Sequence, residues 1–118
     1  MNRADWLKSL LNLDRSLEEI TSGLGTFPWD SLEELVILKS DHFIGVLRRY
    51  LAREVDSEQV GAWANAIEGR EDIGFDQDME DLVRQALHEL ANPYLTRALS
   101  FEVARDWIER LSQPPIQR

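Results

Sequence analysis

The chain contains no cysteine, which excludes disulfides, thiolate metal sites and cysteine nucleophiles together. That absence fits a reducing compartment, and a cytoplasmic location is the expectation. Histidine is almost as scarce. His42 and His88 are the only two, they are not spaced to share a zinc ion within one helix, and no HExxH accompanies them. His42, in the first turn of a predicted helix, reads as a surface or half-buried residue, and His88 as a residue at a bundle edge. No apolar run approaches the roughly 20 residues a membrane-spanning helix needs. The N-terminal Met1-Asn2-Arg3-Ala4-Asp5-Trp6 lacks the apolar core of a signal peptide, so no membrane partner is expected. Cations are outnumbered, 13 Lys and Arg against 22 Asp and Glu, for a net charge of −9. Phosphate backbones are gripped by clustered Lys and Arg, and nucleic acid is therefore not the expected partner. The one basic cluster, Lys39, Arg48, Arg49 and Arg53, reads as a solvated helix face. A Gly-rich phosphate loop and a nucleophile elbow are both missing; neither an enzyme nor a cofactor site is expected.

What is present suffices to fold. Hydrophobic residues make up 43% of 118, four of them tryptophan, enough for a single domain with an ordinary core and unlike a disordered acidic tail. Helical periodicity dominates. Trp6, Leu10, Leu13, Leu17, Ile20 and Leu24 alternate gaps of four and three, as one helix or as two broken near Asn12-Leu13-Asp14. This stripe is too short for a coiled-coil seam and reads as core packing. Gly23 and Gly25 offer a C-cap, and Phe27-Pro28-Trp29-Asp30 a turn. Asp30 or Ser31 is placed to cap a short helix through Glu33-Glu34-Leu35, after which Leu35-Val36-Ile37-Leu38 is either a last helical turn or an extended piece. Ser40-Asp41 opens a helix with Phe43, Leu47, Tyr50 and Leu51 on one face. Asp56 with Gln59 forms a capping box ahead of Val60, Trp63, Ala64 and Ile67. Met79, Leu82, Val83, Ala86, Leu87 and Leu90 give the strongest stripe, stopped by Asn92-Pro93. A last helix follows Leu99-Ser100, with Phe101, Ala104, Ile108 and Leu111 inward and Gln113-Pro114-Pro115 at its end. Trp63 and Trp107 are expected in the core. The spacing predicts an all-α fold, a compact bundle of five or six short helices over residues 1–112, with 113–118 a short mobile tail.

The charge is concentrated. Between Glu68 and Asp81, Glu68, Glu71, Asp72, Asp76, Asp78, Glu80 and Asp81 face only Arg70, so −6 of the net −9 falls within fourteen residues. Flanked by two helices, such a segment is held in place, and a fixed patch of one sign attracts cationic partners. A calcium loop is the sharper alternative. Counted from Asp76, however, the sixth position is Asp81 rather than the glycine that makes the EF-hand turn, and the twelfth is Leu87 rather than a bidentate carboxylate. No metal site is expected, and Asp78, Glu80 and Asp81 suit a helix N-terminus instead. Crowded carboxylates on a watery loop are not expected to acquire the burial that acid–base catalysis requires. Phe75, among the acids, is either an interface anchor or a plug that folds the segment onto the bundle. The expected partner-binding set is Glu68, Glu71, Asp72, Phe75, Asp76, Asp78, Glu80 and Asp81.

Four stretches carry a resemblance: Phe27-Pro28-Trp29-Asp30, Arg49-Tyr50-Leu51, the block from Trp63 to Phe75, and Glu89-Leu90-Ala91-Asn92-Pro93. Together they resemble small, largely uncharacterised bacterial acidic helical proteins, over roughly residues 27 to 112, most specifically in the Trp63–Phe75 block. Some such proteins are immunity partners of secreted toxins. The resemblance implies a helical fold and a bacterial cytoplasmic origin. With the charge, it suggests a non-enzymatic protein-binding module, an immunity protein or antitoxin that masks the basic surface of a toxin. A housekeeping interaction module or homodimer is the alternative, in which the charge serves only solubility.

Overall fold

The computed structural model describes residues 1–27 and 33–113. They are 63% helical, in the order α1 (Arg3–Asn12), α2 (Leu17–Leu24), β1 (Val36–Leu38), α3 (Ser40–Leu51), α4 (Ser57–Ile67), β2 (Ile73–Phe75), a 3-10 turn (Gln77–Met79), α5 (Glu80–Ala91) and α6 (Phe101–Ser112). The mostly helical bundle read from the sequence is the observed class, and a two-stranded parallel sheet is added to it.

The helix boundaries follow local chemistry. Asn2 and Asp5 close a capping box on α1, each side chain bonding the other's backbone N–H at 2.8 and 3.2 Å, which satisfies two donors that the first turn cannot use. The long apolar stripe is two helices, because Leu13 adopts a left-handed conformation (φ 48°) and Ser16 recaps the chain through the Glu19 amide. Asp56 and Gln59 form the expected box on α4, and Ser100 caps α6 at Val103. Gly23 does not end α2, which runs to Leu24 with Gly25 as its cap. The Trp6 ring lies where a Gly23 Cβ would stand, 2.3 Å from ring atom Cε2. Glycine at this position lets α1 and α2 approach.

Pairwise packing of α3 on α6, α4 on α5 and α1 on α2 builds one core. Trp63 is fully buried at its centre, edge-on to Phe43 with ring centroids 5.4 Å apart. Its indole Nε1–H donates to the Leu10 carbonyl oxygen at 2.7 Å, so the polar atom of the ring is satisfied where water is excluded. Trp107 is buried too, its Nε1–H donating to Glu89. The basic cluster is not uniformly solvated: Arg49 is half-buried and donates to the Leu13 carbonyl oxygen at 2.6 Å, filling an acceptor left open at the end of α1.

The run from Leu35 to Leu38 is extended. Glu33–Leu35 is not helical, Val36–Leu38 forms β1, and Asp30 and Ser31, with Trp29, lie outside the described residues. Strand β1 pairs in parallel with β2 in the register Val36–Ile73, Ile37–Gly74 and Leu38–Phe75. Parallel strands need a long crossover, supplied here by α3 and α4. The sheet fixes the acidic segment: β2 lies within it, and its ends are tied by Leu35 N–H to the Asp72 carbonyl (2.8 Å) and Asp76 N–H to the Leu38 carbonyl (3.1 Å).

Candidate partner-binding surface

The acidic segment divides into an interior part and an exposed part. Asp72 is interior, only 2% exposed. Arg70 grips it as a fork, Nε to Oδ1 and Nη2 to Oδ2, both at 2.9 Å, and Arg3 of α1 donates through Nε to Oδ2 at 3.0 Å. Burial alone would raise the carboxyl pKa. The two guanidiniums outweigh it and hold the group below the ordinary carboxylate range. The expectation that Asp72 faces a partner is therefore corrected: an unpaired carboxylate is too costly to bury, and a doubly paired one clamps α1 to the strand.

The other carboxylates keep water contact, several with local duties. Glu68, at the end of α4, accepts from Asn92 Nδ2 at 3.2 Å and lies 3.5 Å from His88 Nδ1. Glu71, Asp78 and Asp81 are exposed. Asp76 is half-buried, and its Oδ1 accepts the Asp78 amide at 3.3 Å, capping the 3-10 turn. Glu80 is 3.6 Å from Arg84 Nε one turn on. Glu80 and Asp81 occupy the first turn of α5, where the helix dipole favours anions. Because α5 begins at Glu80, the second half of a calcium loop counted from Asp76 is helix, and among the described residues no three His, Asp or Glu are grouped to hold a metal ion. With Arg3 and Arg84 added to Arg70, the seven carboxylates face three cations and the local charge becomes −4. This is smaller than the sequence count and still of one sign.

Two carboxylates outside the expected set join the group, Asp41 and Glu34. Asp41 of α3 lines a single cleft with Asp76, Asp78 and Met79, and Arg48 stands on the same rim. Glu34, Glu68 and Glu71 line a second cleft with Arg70 and Arg84. Asp41 is brought in by the crossover, and its separation of 35 residues from Asp76 leaves no local pattern in the sequence to find it by. Next to it, His42 accepts the Lys39 amide through Nδ1 at 2.9 Å, a bond only an unprotonated Nδ1 can take. Burial, opposed by Asp41 and aided by Lys39, pushes its pKa below 6.5, so the cap is intact at neutral pH and weakens as acid protonates the ring.

Phe75 packs against the core and is half-buried, with the Arg84 guanidinium over its face at 4.1 Å. Packed on the core and covered by Arg84, the ring is expected to act as a plug. Phe75→Ala is expected to lower stability by about 1–3 kcal/mol, less than a fully buried Phe would lose, read as a shift of the urea midpoint. An unchanged midpoint would return Phe75 to the role of free anchor.

No protein-family model, no curated protein and no solved structure matches the chain. No helix of the described residues is long and apolar enough to cross a membrane.

Proposed function

We propose that the protein is a non-enzymatic binding module that masks a basic surface on another protein, in the manner of an immunity protein or antitoxin. The observation that supports this reading is the convergence of Asp41 with Asp76 and Asp78 in one cleft; Glu71 and Asp81 are exposed elsewhere on the acidic segment. Backbone geometry holds these carboxylates in place: Asp76 is fixed by its cap and by β1, Asp81 by α5. Fixed carboxylates can take the place that phosphates hold on a cationic surface. They steer the encounter, and like charges repel wrong partners. The alternative, a homodimer, draws on Leu35 and Ile37, 37% and 40% exposed at the sheet. Two copies that each carry −9 repel one another, which favours the basic partner.

The test is affinity capture from the native host on immobilised wild-type protein and on a variant with Glu71→Gln, Asp76→Asn, Asp78→Asn and Asp81→Asn, which keeps shape and the Asp76 cap. The expected outcome is a basic protein retained by the wild type at low salt, released as salt rises, and not retained by the variant. Equal retention on both baits, or a partner without a basic surface, contradicts the proposal.

A further inference from the structure

The loop between α5 and α6 carries the two most exposed large apolar side chains among the described residues, Tyr94 at 101% and Leu95 at 79%. The loop is tied down on both sides. The Leu95 and Thr96 amides both donate to the Asn92 carbonyl oxygen, at 3.0 and 3.1 Å. The Thr96 hydroxyl shares its one proton between the carbonyl oxygens of Glu89 and Asn92, at 3.1 and 2.9 Å. Arg97 bridges Glu89 on α5 and Asp106 on α6, at 3.0 and 3.1 Å. An aromatic and an aliphatic side chain are thus held in water on a backbone that is already ordered, so little backbone freedom remains to be lost when they are covered. Tyrosine is the side chain that interfaces favour for such a place, with a large apolar body and a wet polar end.

The loop's surroundings select its occupant. Asn92, at its base, bonds Glu68, the first carboxylate of the acidic segment, which joins the base of the loop to that segment. Glu68, Glu89 and Asp106 face Arg97 and Arg110, leaving −1. A second copy of the chain would bring a further −9, and an anionic membrane would also be repelled. We propose that Tyr94 and Leu95 are the apolar anchor of the interface, and that the partner is a basic protein offering an apolar pocket rimmed by Lys and Arg. The inference rests on the masking reading above and gives it the desolvated centre that a rim of charges alone lacks.

Two short synthetic peptides of equal Lys and Arg content serve as probes, one with a central Leu-Phe-Leu and one with three alanines there, titrated by fluorescence anisotropy. Three proteins are compared: wild type, the Tyr94→Ala/Leu95→Ala variant, and the four-carboxylate variant described above. Both tip side chains are in water, so the tip variant should keep the wild-type melting temperature. The wild type should bind the apolar-centred peptide about tenfold or more tightly than the alanine one, the step expected of an interface anchor. The tip variant should bind both peptides alike, at the wild type's level for the alanine peptide. The carboxylate variant should weaken both and keep the ratio between them. A tip variant that keeps the ratio overturns the anchor and leaves the masking reading standing. A carboxylate variant that binds as wild type does sinks the masking reading, and a wild type that binds neither peptide sinks both. A wild-type dimer in sedimentation that the tip variant abolishes would assign the tip to a second copy and overturn the anchor equally.

Discussion

Asp72→Ala is expected to lower the stability of the folded chain by about 3 kcal/mol, because removing one member of a buried ion group leaves the others uncompensated. The figure belongs at the lower end of the range for such changes, since Arg70 and Arg3 retain some contact with water, 28% and 16% by side chain. Arg3→Ala costs less, about 1.5–2 kcal/mol, because the Arg70 fork survives and one charged hydrogen bond is lost. The pH dependence has a definite sign. The carboxyl pKa is depressed in the fold from an ordinary value of 3.8, so its contribution is fully present above 3.8 and disappears as the pH falls through the lower, folded value. Urea midpoints measured from neutral to strongly acid pH check this. The wild type and Asp72→Ala should differ by a constant amount down to about pH 4, and the gap should narrow below it. Curves that coincide at all pH values would show that the carboxylate does not clamp α1 to the sheet.

A second large loss is expected at the centre of the core. Trp63→Ala removes a fully buried indole that touches Phe43 and strands the Leu10 carbonyl oxygen that the indole served. Large aromatic-to-alanine changes cost about 3–5 kcal/mol, and the lost hydrogen bond places this one in the upper half of that range. Against a typical total of 5–15 kcal/mol, the variant should be close to unfolding at room temperature. Circular dichroism on thermal melting reads it directly. Trp63→Phe, which keeps most of the apolar volume, should recover the larger part of the loss. A melting temperature that alanine leaves unchanged would place the ring outside the core.

The helices were legible in the sequence because their signals are local. Val60, Trp63, Ala64 and Ile67 announce a buried face, Asp56 and Gln59 a start, and all six behave as read. The parallel sheet was not, since three-residue strands are too short to show a period of two and their partners lie 37 residues apart. The acidic segment was legible as a charge and misleading as a surface. Asp72 is neutralised by Arg3 from 69 residues away, a pairing invisible to any window, although its position beside the apolar Ile73 was a hint. Phe75 and Tyr94 show the same division. A ring among acids read as an anchor or a plug, and Arg84 covers it, whereas the ring that stands in water follows a helix-stopping Asn92-Pro93, a place that reads from sequence only as a turn.

With a captured partner in hand, the association rate measured by stopped flow across ionic strength bears most directly on the claim that the fixed carboxylates are the working surface. Exposed charges are screened over about 8 Å at physiological salt, and charge at an interface rim acts on encounter more than on dissociation. The wild type should therefore associate fast at low salt and slow steeply as salt is added. The variant lacking Glu71, Asp76, Asp78 and Asp81 should start about one to two orders of magnitude slower, show a shallow slope, and meet the wild type at high salt. Equal rates and equal slopes for the two proteins would show that the acidic surface plays no part in recognition.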